Sequence, residues 1–234
     1  MKGFVDIAVS SLLLFVGFIS SVLSTKNRAK LGMIIGNILR LLSPNRQKVT
    51  LDNIQKAFPD LTTGKSIDIM KKSYQNLGIT LVELLVFPKL KRDDFEKYIK
   101  YENIDLISDV YNRGKGLILL SGHFGNWELL AFTAGLFSKI PVTVIVKPQS
   151  NHISDEYLNK YRTLGGNKIV PMGNAARTII KCIQNHEAIA LLADQSADWQ
   201  KDIFVDFFGR LAATYEAPAN ISLKFDVPDR KSVV

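Results

Sequence analysis

The chain changes its hydrophobic rhythm as it runs. Residues 7–24 (IAVSSLLLFVGFISSVLS) carry no charge and are mostly apolar. Residues 31–42 form a second apolar stretch, read either as an interfacial helix on a membrane face or as a core helix. Pro44 and Pro59 bracket a helical segment with Val49, Leu51, Ile54 and Phe58 on one side. Thr63 is the expected N-cap of a long helix ending before Pro88, in which Ile67, Met70, Tyr74, Leu77, Leu81 and Leu84 recur at steps of three and four. From about Tyr98 the pattern alternates. Short apolar runs at 116–120, 142–146, 168–171 and 188–193 predict strands, and 104–111, 126–137, 153–163 and 175–185 predict helices. This order predicts an α/β fold with a mainly parallel sheet flanked by helices. In such sheets ligands bind at the carboxyl ends of the strands. His123, Lys147 and Asp194 all fall just past predicted strand ends.

Composition adds little about the fold and more about partners. At 234 residues, 47% hydrophobic and 22% charged, the chain is long and apolar enough to bury a sizeable core. The formal charge of +8 favours anionic partners. Lys26, Arg28, Lys30, Arg40, Arg46 and Lys48 follow the first apolar run, with no acidic residue between Asp6 and Asp52. We read residues 7–24 as a retained membrane anchor rather than a signal peptide or a buried core helix; the n-region of a signal peptide would hold only Lys2, opposed by Asp6. The basic flank then places the following domain on the cytoplasmic side. One cysteine, Cys182, excludes an intrachain disulfide and is expected to be a buried helix residue. No Cys/His cluster has metal-site spacing, so no metal is expected. Nucleic acid is disfavoured as a partner because the positive charge sits beside the apolar run and no recognition motif appears.

The candidate chemistry centres on residues 116–130, GLILLSGHFGNWELL. His123 and Glu128 on one continuous helix would stand about 140° apart and would not meet. A loop through Gly122–Gly125, with Asn126 as N-cap and Glu128 in the first helical turn, allows His123 to fold back onto Glu128. A histidine held by a carboxylate is a general base with a fixed tautomer. With no Ser or Cys placed as a nucleophile, its natural task is to deprotonate a substrate hydroxyl for direct attack on an acyl carbonyl.

The string HFGNWE after a buried strand resembles the signature of the lysophospholipid acyltransferase superfamily, within it the lipid A biosynthesis acyltransferases of the lauroyl/myristoyl type. NIQKAFP, NLGITLVELL, YRTLGGNKIVP, NAAR, LLADQS and FFGRLAAT extend the resemblance over nearly the whole chain. It implies a glycerolipid-acyltransferase-like fold, with His123 as base and Glu128 as its orienter. Arg162 and Asp194 match further functional positions. Arg177 and Arg210 match basic positions suited to phosphate, and Gly125 and Asn126 belong to the motif loop. It also implies a membrane-associated O-acyltransferase of a bacterial inner membrane, catalytic domain on the cytoplasmic side. The acyl donor would be acyl carrier protein or a coenzyme A thioester, with no further cofactor, and the acceptor an anionic glycolipid, a lipid A precursor. Another glycolipid, such as a phosphatidylinositol mannoside, is the nearest alternative acceptor. A non-catalytic basic membrane-binding protein is the rival from another class.

Two features depart from that pattern. Glu216, in TYEAPA, stands where glycine is expected. The chain also ends where the family continues, and its last six residues can be encoded by common sequencing-adapter DNA. The expected organisation is therefore an anchor with a basic or interfacial segment over residues 1–43, an incomplete acyltransferase domain over 44–228, and an artefactual tail over 229–234.

Overall fold

The structure is a computed structural model that describes residues 2–87, 90, 94–96, 99–149, 151–195 and 197–231. Pro88 and Tyr98, which mark boundaries in the sequence, and residues 232–234 of the expected tail lie outside the described residues. The chain divides into two compact units, one of residues 1–90 with 206–211, the other of residues 91–205 with 212–234.

The first unit is helical: α1 (Lys2–Val22), α2 (Thr25–Leu41), α3 (Pro44–Ala57) and α4 (Thr63–Val86). Ser24 caps α2 by accepting from the Asn27 amide, and Arg28 reaches back from α2 to the end of α1, donating to the Ser20 and Leu23 carbonyls. Thr62, one residue before the expected cap, accepts from the Lys65 amide to start α4. Among the described residues no helix is long and apolar enough to cross a membrane. The transmembrane anchor expected over residues 7–24 is therefore not borne out by the described helix. The helix stops at Val22, and its uncharged part is about 24 Å long, against a hydrocarbon core of roughly 30 Å.

The expected α4 stripe is partly displaced. Met70 and Tyr74 are buried, but Leu77 and Leu81 are exposed, and the buried row runs Ser66, Met70, Tyr74, Gly78, Val82. Spacing by four places these residues on one ridge, and small residues let α2 come close. A Cβ on Gly78 would stand 2.1 Å from the Gly32 carbonyl oxygen, and one on Gly36 would stand 2.1 Å from the Tyr74 carbonyl oxygen. Backbone contact, not side-chain size, selects the buried face. The helix of residues 44–57 forms as expected but buries none of its side chains.

The second unit has the predicted α/β architecture. Its elements are α5 (Asp105–Tyr111), β1 (Leu117–Ser121), α6 (Trp127–Ser138), β2 (Val142–Val146), α7 (His152–Leu164), β3 (Lys168–Pro171), α8 (Ala175–Gln184), β4 (Ala188–Leu192), α9 (Ala217–Phe225) and β7 (Asp229–Lys231), with a 3-10 turn at Met172–Asn174. The sheet order is β3-β2-β4-β1-β7, and every pairing is parallel. Alternation along the strands divides the core. Leu117, Leu119, Val142, Val144 and Ala188 face one way with Ile107 and Val110 of α5. Ile118 and Ile189 face the other, against Ile179, Cys182 and Ile183 of α8 and Phe225 of α9. Cys182 is a buried helix residue, as expected.

Two features escaped the sequence reading. Strands β5 (Ile203–Asp206) and β6 (Leu211–Thr214) form a hairpin whose central residues, Phe208 and Gly209, both have positive φ, the geometry of a type I′ turn. The backbone of Asp229–Lys231, within the expected tail, pairs with β1 as an edge strand.

The helix contact makes a signed prediction. Gly78→Ala drives a methyl into backbone of α2 and should cost at least the ~1–3 kcal/mol typical of overpacking. Gly64→Ala, with open space around its Cβ, should leave stability unchanged or higher. Urea denaturation midpoints of the two variants provide the comparison.

Candidate active site

The site begins with strand register. In the parallel β1–β4 pair, Ser121 lies opposite Leu192. Two residues beyond each stand His123 and Asp194, so their loops leave the sheet side by side. Gly122 permits the approach, since a Cβ there would lie 3.0 Å from Asp194 Oδ2 and 3.1 Å from its carboxyl carbon. The Asp194 carboxylate grips His123 at two points. Oδ2 accepts the His123 backbone N–H at 2.6 Å, and Oδ1 lies 2.8 Å from Nδ1.

This contact assigns the tautomer. An ionised carboxylate only accepts, so Nδ1 carries the proton and Nε2 presents its lone pair. Gln195 Nε2 lies 3.4 Å from that lone pair, and the Trp127 ring meets the imidazole edge-on at 5.3 Å between centroids. Burial pushes the Asp194 carboxyl up, but the hydrogen bonds from the His123 ring and backbone amide outweigh it. The net direction is below the ordinary carboxylate value. The stability this adds is therefore present above the unfolded carboxylate pKa and is lost as pH falls through the lowered folded value.

Glu128 does not orient His123, and this corrects the expected pairing. The helix begins as expected: Asn126 accepts from the Leu129 amide at 3.1 Å, and Glu128 lies in the first turn. The Glu128 carboxylate turns instead to Arg162 on α7, which donates from Nε to Oε2 at 2.9 Å and from Nη2 to Oε1. Only 11% of the Arg162 side chain and 15% of the Glu128 side chain are exposed. A planar guanidinium matches a carboxylate at two points, and the remaining Arg162 contact goes to Asn159. Arg162, expected to bind substrate, is thus engaged in holding α7 to the start of α6. The fold-back failed as an expectation because sequence spacing says nothing of which strand lies beside β1.

The other expected residues separate. Gly125 has φ of +56° in the loop between His123 and α6. Arg177, on α8, is exposed with no hydrogen bond or ion pair among the described residues. Arg210 lies in the segment grouped with the first unit, at the β5–β6 turn, where its carbonyl accepts from the Phe207 amide. His152 and His186 are exposed. Gln195 was missed, although it follows Asp194 directly in the ADQ string.

A mainly apolar cavity of about 170 Å³ lies on the α5/α6 side of the sheet. Leu119, Leu130, Ala134, Val144 and Ala190 line it. Ser121, Trp127 and Leu192 also line it, so its wall includes residues that flank the His123–Asp194 pair. Burial pushes the Tyr101 phenol up to about 12, partly offset by its hydrogen bond with Thr133, so this wall residue is uncharged.

Fold and site together define an α/β domain with a histidine–carboxylate pair at the carboxyl edge of a parallel sheet, next to a mainly apolar cavity. The chain belongs to the bacterial lipid A biosynthesis acyltransferase family, whose pattern it matches over residues 4–228. It is 22% identical over 178 residues to the lipid A biosynthesis palmitoleoyltransferase of Escherichia coli, covering 76% of this chain and 57% of that relative. To a lipid A biosynthesis acyltransferase of Haemophilus influenzae it is 23% identical over 203 residues, 86% of this chain and 62% of the relative. To the lipid A biosynthesis lauroyltransferase of Escherichia coli it is 21% identical over 179 residues, 76% and 58% respectively. The chain thus spans 57–62% of the length of these curated relatives.

The ion pair gives a stability prediction independent of chemistry. Arg162→Ala leaves the Glu128 carboxylate largely buried and unpaired, at a cost of roughly 3–5 kcal/mol. Removing both partners, as Glu128→Gln with Arg162→Met, should recover part of that loss. Chemical denaturation of the single and double variants measures it.

Proposed function

We propose that this protein is a membrane-associated O-acyltransferase that moves a fatty acyl group from an acyl carrier protein thioester to a hydroxyl of a lipid A precursor. The observation that carries this reading is His123, whose Nδ1–H is held by Asp194 so that Nε2 is left as the acceptor, beside a mainly apolar cavity. The acceptor hydroxyl gives its proton to Nε2 as its oxygen attacks the thioester carbonyl carbon. The carbon–sulfur bond then breaks, and the thiolate takes the proton back from the imidazolium. Asp194 holds the Nδ1 proton throughout and stabilises the imidazolium between the two steps. The cavity is suited to the acyl chain, since its lining is mostly apolar, with Tyr101, Glu102, Asn103 and Ser121 as its polar members.

A membrane surface is the natural source of such an acceptor. Leu12, Leu14, Phe15 and Phe18 of α1 are each about 60% exposed, and Lys26, Lys30, Arg46 and Lys48 are exposed on the following helices. Apolar side chains with a basic flank favour an interface rich in anionic lipid. The positive-inside bias supports the cytoplasmic face of the inner membrane. Phe124, next to His123, is 64% exposed and suits contact with a lipid acceptor.

Transfer of labelled acyl groups from acyl carrier protein to a lipid A precursor tests the reading. The unaltered chain should transfer, and His123→Ala should lose about 10²–10⁴-fold in rate. Undiminished transfer by His123→Ala would refute the base assignment. Ala190→Leu, which fills part of the cavity, should shift preference towards shorter acyl chains, read by competition between donors of different length.

A further inference from the structure

We infer that Gln195 is a catalytic residue of this site, its side-chain amide donating a hydrogen bond to the oxyanion formed when the thioester carbonyl is attacked. The inference rests on the acyl-transfer reading and adds to it a residue for which no role was expected.

Gln195 lies one position past Asp194, on the loop that follows β4, and its Nε2 is 3.4 Å from His123 Nε2. The partners fix which atom of the amide faces the ring. Asp194 takes the Nδ1 proton, so Nε2 of His123 is an acceptor. Only the NH₂ end of the glutamine can satisfy an acceptor. In the resting protein the amide therefore covers the lone pair that serves as base.

The acceptor hydroxyl must take the place of that amide to reach Nε2, about 2.8 Å from the ring nitrogen. The carbonyl carbon it attacks lies one bond further, and the carbonyl oxygen one bond beyond that. A donor that begins 3.4 Å from Nε2 and swings aside stays within hydrogen-bond reach of that oxygen. As the O–C bond forms, the carbonyl π pair moves to oxygen, and the amide N–H meets the charge there. When the C–S bond breaks, the pair returns to the carbonyl. Asn and Gln side chains serve this purpose because they donate without titrating. The glutamine thus holds the base covered until substrate arrives, then stabilises what the base helps create.

The experiment measures acyl transfer by the unaltered chain, Gln195→Ala and Gln195→Glu, with kcat and KM resolved for the thioester donor. Gln195→Ala should lose about 10²–10³-fold in kcat with KM changed less than threefold, as for loss of one oxyanion donor. Gln195→Glu is close in shape but puts a negative charge at the oxyanion, and it should fall below Gln195→Ala. If Gln195 were only a spacer, Gln195→Glu would instead equal or exceed Gln195→Ala. Transfer at the unaltered rate by Gln195→Ala, or a loss carried wholly in KM, overturns the assignment of Gln195 alone. If the unaltered chain transfers nothing, the acyl-transfer reading falls and the Gln195 role falls with it. A further arm uses the ¹⁵N resonances of His123. They should move in Gln195→Ala at constant pH, and unchanged resonances overturn the contact on which the inference stands.

Discussion

The site depends on one constraint, the parallel register between β1 and β4. Because Ser121 is opposite Leu192, the two chains emerge level, and equal short steps bring His123 and Asp194 together. The β1–β4 pair lies inside the sheet, flanked by β2 and β7, and its core residues Leu117, Ile118, Ala188 and Ile189 are fully buried. A slip by one residue would move every side chain to the opposite face and break the packing of both cores. Hydrophobic burial thus fixes the alignment of two polar side chains several residues away.

The Glu128–Arg162 pair supports the helix that follows the site loop. It joins the first turn of α6, just after Gly122–Gly125 in the chain, to the last turn of α7. A motif that reads as a histidine with its carboxylate is therefore two devices in one string. His123 takes its partner from another strand, while Glu128 fixes the helix from which the loop hangs.

Much of the architecture was readable from the sequence because apolar alternation and helical spacing respond to burial directly. The four expected strands and the helices between them lie near their expected positions, and Asn126 caps α6 as its residue type requires. Pairing across the sheet was not readable, since strand order is set by how helices cover the faces and leaves no local trace. That is why Asp194 was singled out by its place after a strand while its partner was mistaken. The α4 face was misjudged for a related reason. Leu77 and Leu81 look like core, but Gly78, silent in a hydrophobic pattern, is where α2 touches. The Phe208–Gly209 turn was missed because only glycine advertises positive φ, and Phe208 adopts it too.

The doubled grip of Asp194 on His123 carries an evolutionary consequence. One carboxylate closes a loop with both the backbone amide and the ring of the same residue, so it registers chain length as well as side-chain chemistry. Inserting or deleting one residue between Ser121 and His123, or between Leu192 and Asp194, would separate amide from ring as seen by the carboxylate. Divergence in this lineage is therefore channelled. Helix surfaces are free to drift in composition, and outlying loops in length, while these two short segments are held to a fixed count.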